Sequence, residues 1–205
     1  MTISLPKLYP ITDTRLAGLS HAEQVERLAA GGATLIQLRD KTASPRDFYE
    51  AALAALRIAR SLNVRIIIND RVDIAAAVRA DGVHLGQDDL PPDRARAVLP
   101  PGAIIGLSTH NLKQALEADS TSADYVAFGP IFQTSSKENP DPVVGLEKLA
   151  EIRRLVSKPL VAIGGITLER AASVIAAGAA SVAVISDLYL SGDIAARAAT
   201  FIRRI

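Results

Sequence analysis

The chain has 205 residues, 49% of them hydrophobic and 22% charged, which suits one well-packed domain and excludes a disordered segment. Lysine and arginine (23) nearly balance aspartate and glutamate (22), and the net charge of +1 argues against a general nucleic-acid coat. Cysteine is absent and histidine occurs at only three positions, His21, His84 and His110, so disulfides, thiolate metal sites and a cysteine nucleophile are excluded, and a many-histidine metal centre is disfavoured.

Short β-branched runs alternate with longer segments of helical period along the whole chain. A strand is expected at 8–11, followed by a helix at 21–30 that Ser20 and Glu23 open as a capping box. A second strand at 34–38 leads to a helix at 45–61. There Ser44-Pro45 fits an N-cap before a first-turn proline, and Phe48, Ala52, Leu56, Ala59 and Leu62 recur at helical spacing. The next pairs are strand 65–68 with helix 72–79, strand 82–85 with helix 91–98, and strand 104–107 with helix 111–118. Strand 125–128 is followed by the one long irregular stretch, 129–144, and then by a helix at 145–156. Strand 160–163 with helix 167–176 and strand 181–185 with helix 191–204 complete the series. Gly31-Gly32, Gly102 and Gly178 fall where helices should stop.

Eight strand–helix units predict a parallel sheet with right-handed crossovers. The expected fold is α/β, a single compact (β/α)₈ TIM barrel over residues 1–205, with an open doubly wound sheet as the alternative. In such a barrel the chemistry sits at the C-terminal strand ends, and this sequence concentrates polar residues there. Strand two runs into Gln37, Arg39, Asp40 and Lys41, strand three into Asn69, Asp70 and Arg71, and strand four into Gln87, Asp88 and Asp89. Strand five is followed by Ser108, Thr109 and His110, strand seven by Gly164-Gly165, and strand eight ends near Ile185-Ser186.

The period of two puts Gln37, Arg39 and Lys41 on one face and Ile36 and Leu38 on the other, aiming two cations and an amide at the barrel mouth. A surface pairing of Arg39 or Lys41 with Asp40 is the plainer alternative. Asp70 and Asp89 follow neighbouring strands and form an oxygen-rich pair suited to Mg²⁺. On spacing alone Asp73 or Asp88 could replace either, and Asp89 could instead cap the following helix. Gly164-Gly165 and Ser186 occupy the usual phosphate position after strands seven and eight, where backbone N–H groups hold an anion. Thr134, Ser135 and Ser136 add hydroxyls on the long stretch and Lys137 adds a cation. His110 could be an acid or base or could cap the next helix, and His84 reads as a packed strand residue. No Ser–His–Asp order stands out. These residues describe a barrel with two phosphate sites, one cationic and metal-assisted, the other built of amides and hydroxyls. That pairing suggests a transferase joining two phosphorylated substrates.

The chain also resembles the thiamine-phosphate synthase (thiamine-phosphate pyrophosphorylase) family. The resemblance runs through TLIQLRDK at 34–41, INDRVDIAAAVRADGVHLGQDDL at 68–90, IGLSTHN at 105–111, DYVAFGPIFQTSSK at 124–137, VAIGGI at 161–166 and VAVIS at 182–186. It implies a TIM-barrel transferase that couples hydroxymethylpyrimidine diphosphate to a thiazole phosphate, or its carboxylate form, releasing pyrophosphate and thiamine phosphate. By this resemblance Gln37, Arg39, Lys41, Asn69, Ser108 and Lys137 surround the pyrimidine diphosphate. Thr134, Ser136, Gly165, Ile185 and Ser186 hold the thiazole phosphate, and Asp70 and Asp89 hold Mg²⁺. The family commonly has Thr-x-Thr-Lys where this chain has Thr134-Ser135-Ser136-Lys137, and serine keeps the hydroxyl. A related thiazole tautomerase would use a histidine near His110, and a non-catalytic phosphate sensor could share the barrel. The cation set and the doubled carboxylates argue for the synthase over both. Partners are then small phosphorylated substrates, without nucleic acid or membrane. The N-terminus lacks an apolar signal core, and no segment reaches the roughly 20 apolar residues of a bilayer span, so a soluble, cytoplasmic enzyme is expected.

Overall fold

The computed structural model describes residues 3–134, 141–190 and 192–205. Its sheet holds eight parallel strands: β1 (Leu8–Pro10), β2 (Leu35–Leu38), β3 (Arg65–Asn69), β4 (Gly82–Leu85), β5 (Ile104–Thr109), β6 (Tyr125–Phe128), β7 (Leu160–Ile163) and β8 (Ser181–Val184). They run in the order β1-β8-β7-β6-β5-β4-β3-β2. The ring closes between β1 and β2 through an Ile11–Gln37 bridge and a Thr12 N–H donated to the Gln37 carbonyl at 2.9 Å. The closed ring is the TIM barrel, and it excludes the open doubly wound sheet.

The period of two sorts the strand residues into two apolar layers. Tyr9, Ile11, Leu35, Ile67, Ile104, Tyr125, Ala127, Val161 and Ala183 fill the barrel. Their neighbours Ile36, Leu38, Ile66, Ile68, Val83, Leu85, Ile105 and Val126 face outward and are buried under the helices. Gly106 makes room for one of the two interior tyrosines, since a Cβ there would stand 2.0 Å from the Tyr125 ring.

The helices cover the outer layer: α2 (His21–Ala30), α3 (Pro45–Ser61), α4 (Val72–Val78), α5 (Pro92–Val98), α6 (Leu112–Asp119), α7 (Gly145–Leu155), α8 (Leu168–Ala176) and α9 (Ile194–Arg204). Ser20 and Glu23 form the capping box of α2, and Ser44 accepts the Asp47 N–H to open α3. α3 buries Phe48, Ala52, Ala55, Leu56 and Ala59 on one face; a buried Phe or Leu contributes about 1.5–3 kcal/mol.

Most element ends lie within one residue of the sequence expectation, and three larger differences have identifiable reasons. A short helix α1 (Thr14–Ala17) stands where none was expected, held by Asp13 accepting from Arg15 and Leu16 N–H and ended by Gly18 in the left-handed region. β5 runs on through Ser108 and Thr109, because both pair with β6 and the Thr109 hydroxyl donates to the Ala127 carbonyl at 2.9 Å. α9 starts at Ile194, where Asp193 accepts the Ala196 N–H at 2.9 Å.

Candidate active site

The C-terminal strand ends build the site. At β2, Gln37 turns into the barrel and is 2% exposed, while Ile36 and Leu38 pack outward, as the alternation requires. Arg39 Nη1 lies 3.9 Å from Asp13 Oδ2, and the Arg39 N–H donates to Thr12 Oγ1 at 3.2 Å. Asp40 does not pair with either cation. Its carboxylate accepts the Thr42 and Ala43 N–H groups and folds the turn that presents Lys41. Lys41 Nζ instead reaches across to donate to Asp70 Oδ2 on the next strand end.

At β3, Asn69 is buried in register with His84, and Asp70 follows with φ +61°. Asp is one of the few residues that tolerate this left-handed conformation. Here the Asp70 N–H donates to the His84 carbonyl at 2.8 Å, which holds the turn to β4. The Asp70 side chain caps nothing, since α4 has no side-chain cap. Asp73, the alternative on spacing, is taken by the Arg71 guanidinium at 2.9 Å.

Asp89 does not cap α5 either. Pro91 stands at that cap, and Asp89 Oδ2 folds back to accept the Gly86 N–H at 2.7 Å. Burial pushes the Asp89 carboxyl above its usual range. The adjacent Asp70 charge and a hydrogen bond to it push the same way, against the Gly86 N–H and Lys41. Two neighbouring carboxylates, with the charge of Asp89 opposed by burial and by Asp70 and with Lys41 beside them as a counter-charge, fit a shared divalent cation completed by water and substrate oxygens.

Ser108 on β5 receives or offers a hydrogen bond to His84 Nε2 at 2.8 Å. Beyond it, Asn111 caps α6 by accepting the Gln114 N–H at 3.0 Å, so His110 is not the cap. His110 Nδ1 donates to the Gly129 carbonyl at 2.7 Å, and Nε2 faces Asp141 Oδ2 at 3.5 Å.

On the opposite arc, the start of the long stretch is laced to β7. Ile131 N–H donates to the Ile163 carbonyl at 2.9 Å and Phe132 N–H to the Gly164 carbonyl at 3.0 Å. Gly165 has φ +61°, and a Cβ there would lie 2.3 Å from the Gln133 carbonyl oxygen, so the close approach demands glycine. Thr134 lines a groove of about 690 Å³ with Phe132, Gln133, Val143 and Arg170. Ile185 packs beside the interior layer, and Ser186 opens a 3₁₀ turn at Ser186–Leu188. Asp187, 4% exposed, ties that turn down by accepting from Arg197 Nη2 at 2.7 Å and from the Leu168 N–H at 3.3 Å. Ser135, Ser136 and Lys137 lie outside the described residues.

A model described as thiamine monophosphate synthase matches residues 8–188. The thiamine-phosphate synthase of Koribacter versatilis (strain Ellin345) is 49% identical, over 98% of this chain and 96% of its own length. That of Methanoculleus marisnigri (strain ATCC 35101 / DSM 1498 / JR1) is 48% identical over 97% and 94%. The chain belongs to the thiamine monophosphate synthase family. A solved thiamine phosphate pyrophosphorylase from Pyrococcus furiosus superposes with a TM-score of 0.87 at 39% identity, covering 96% of this chain and 94% of that one.

Within this family fold, the mouth also gathers residues that the sequence reading did not single out for the site. Arg170 lies 4.6 Å above the Phe132 ring and donates to the Gly165 carbonyl at 3.0 Å, which places a cation beside the amide-and-hydroxyl arc. Tyr9 and Tyr125 join Gln37 inside the barrel; the alternation within β1 and β6, which turns Leu8 and Val126 toward the helices, is the signal that points them inward. No helix among the described residues is long and apolar enough to cross a membrane.

Proposed function

We propose that the chain joins hydroxymethylpyrimidine diphosphate to a thiazole phosphate, giving thiamine phosphate and pyrophosphate. The observation that carries this reading is the division of one barrel mouth into two arcs of different chemistry. Arg39, Lys41, Asp70 and Asp89 form a charged arc suited to a diphosphate, and Thr134, Gly165 and Ser186 form an arc of hydroxyls and amides suited to a monophosphate. Near full-length identity to thiamine-phosphate synthases supports the same reading.

In this reading Gln37, Asn69 and Ser108 orient the pyrimidine ring, while Arg39, Lys41 and Lys137 hold its diphosphate. The C–O bond breaks and the pyrophosphate departs with the electron pair, leaving a pyrimidine methylene cation. The thiazole nitrogen, held in place through its phosphate by Ser186 and the Gly165 amide, donates its lone pair to that carbon. Neither bond change needs a side-chain nucleophile or an obligatory proton transfer. The work left to the chain is to stabilise charge growing on the leaving group and to hold the acceptor nitrogen in line. Asp70 and Asp89 would hold Mg²⁺, which when bound offsets charge on the diphosphate. Both substrates are ionic phosphates that do not cross membranes unaided, so this reading places the enzyme in the cytoplasm.

The test is incubation with both substrates and Mg²⁺, with separate detection of thiamine phosphate and pyrophosphate in equal amounts. Formation of neither, or isomerisation of the thiazole carboxylate phosphate alone, overturns the reading.

A further inference from the structure

Five polar side chains touch in series through the otherwise apolar barrel interior. Gln37 Nε2 lies 3.1 Å from Tyr9 Oη, and Tyr9 Oη lies 3.1 Å from Tyr125 Oη. Tyr125 Oη lies 2.9 Å from His84 Nδ1, and His84 Nε2 lies 2.8 Å from Ser108 Oγ. The three middle residues are 0–6% exposed, and the His84 and Tyr125 rings stack at 5.6 Å. The two ends of the series are mouth residues; the middle three have no part in the mechanism above.

Such a series has a direction. With the Gln37 amide nitrogen turned toward Tyr9, the Tyr9 oxygen accepts from Gln37, and the direction that keeps each buried proton bonded sends the Tyr9 proton to Tyr125. Tyr125 then donates to His84 Nδ1, which must be the unprotonated nitrogen. In that direction the imidazole is neutral, carries its proton on Nε2 and donates it to Ser108. Burial pushes both phenols far above their ordinary pKa, so each keeps the proton that the sequence of bonds requires. The consequence appears at the mouth. Gln37 is left with its carbonyl oxygen free of the series, an acceptor, and Ser108 is left with its hydroxyl proton, a donor. Reversing either end requires reversing the whole series: the Gln37 amide flips, the imidazole proton moves to Nδ1, and Ser108 becomes an acceptor toward the mouth.

We propose that Tyr9, Tyr125 and His84 are positioning residues that fix the hydrogen-bond polarity of the mouth, with Gln37 as acceptor and Ser108 as donor. This polarity selects a ring substrate that offers an N–H on the β2 side and an acceptor atom on the β5 side. The proposal rests on the reading that an aminopyrimidine diphosphate lies between those two residues. An aminopyrimidine supplies the N–H through its exocyclic amine, and its diphosphate or ring nitrogen supplies the acceptor. A ligand with an oxo group in place of the amine meets acceptor against acceptor and is rejected.

Two measurements test it. Nitrogen NMR on isotope-labelled wild-type protein, with His84 assigned by comparison with His84→Gln, should show a neutral imidazole protonated on Nε2. This result does not depend on the reaction catalysed, so it stands or falls apart from the functional reading. Kinetically, Tyr9→Phe and Tyr125→Phe each interrupt the series while keeping the aromatic packing. Each should raise KM for the pyrimidine diphosphate about tenfold, the loss of one oriented hydrogen bond, with KM for the thiazole phosphate unchanged. Tyr9→Phe should also release the His84 proton from Nε2 into a mixture of both tautomers. An Nδ1-protonated His84 in the wild type overturns the proposal. So do folded Tyr→Phe variants with wild-type KM for the pyrimidine diphosphate, and so does an equal rise in both KM values.

Discussion

Replacing Gly165 by alanine tests the monophosphate arc at its tightest point. The residue sits at φ +61°, which costs an L-residue about 1–2 kcal/mol, offset by about 0.4–1 kcal/mol from the stiffer unfolded chain. The new Cβ would also stand 2.3 Å from the Gln133 carbonyl oxygen and 2.9 Å from Phe132 Cβ. To reach ordinary contact that segment must retreat by about 1 Å. The retreat pulls on Ile131 N–H to Ile163 and Phe132 N–H to Gly164, bonds worth about 0.5–1.5 kcal/mol each. The sum is about 2 kcal/mol, concentrated where the Gly165 amide and Thr134 would meet the phosphate. Expressed in binding, that is about a thirtyfold rise in KM for the thiazole phosphate. KM for the pyrimidine diphosphate should stay near its wild-type value. Gly102→Ala is the control. Its φ is +83° but nothing lies within 4 Å of the added Cβ, so it carries the backbone strain alone. It should lower Tm by about 2–4 °C at most and leave both KM values unchanged. Steady-state kinetics with each substrate varied, alongside thermal melts, separates the two variants. A folded Gly165→Ala protein with wild-type KM for the thiazole phosphate would refute the placement of the monophosphate against β7.

Asp89→Asn keeps an acceptor for the Gly86 N–H but removes the charge that burial and Asp70 oppose. Its turnover should fall by orders of magnitude while Tm in EDTA rises, and full wild-type activity in excess EDTA would sink the metal assignment. Arg39→Ala should nearly abolish synthesis whereas His110→Gln should keep most of it, because His110 already donates to the Gly129 carbonyl and no proton must move; the reverse pattern would favour an isomerase. His21 is buried with Nδ1 against Thr12 Oγ1, and burial outweighs the nearby Asp40 to hold its pKa below 6.5. A histidine whose folded pKa is depressed contributes stability that is complete above 6.5 and lost as the pH falls through the folded value. Melts across that acid range should therefore show a decline that His21→Asn reduces, and an unchanged pH dependence in the variant would refute the assignment.

The barrel was legible because its two signals are local. Each strand is a short β-branched run, and each helix announces itself by a cap or a period, as at Ser20 with Glu23 and Ser44 with Pro45. The inward aim of Gln37 followed from the same arithmetic of alternation. α1 escaped because four residues hold no period; only Asp13 and Gly18 mark it. Choosing Asp70 over Asp73 was beyond spacing, and the difference lies in Arg71, whose guanidinium occupies Asp73. The Tyr9–Tyr125 contact joins residues 116 positions apart, so no window along the chain contains both. Arg170, near the start of α8, belongs to no motif or strand end that sequence reading could single out. Its place over Phe132 exists only once the long stretch folds back on β7.

The ring of strands is not equally strong all the way round. Along its other joints the ladders run for three or four paired residues. Between β1 and β2, among the described residues, the ring rests on the Ile11–Gln37 bridge and the Thr12 amide. Local opening favours the joint held by the fewest bonds. That joint lies directly beneath Gln37, Arg39 and Lys41, the residues that would receive a diphosphate. A ligand gripped by them and by the ends of β3 and β5 acts as a clasp across the seam. Solvent exchange at the Thr12 amide should therefore gauge occupancy, slower with a diphosphate bound across the seam than in the empty barrel.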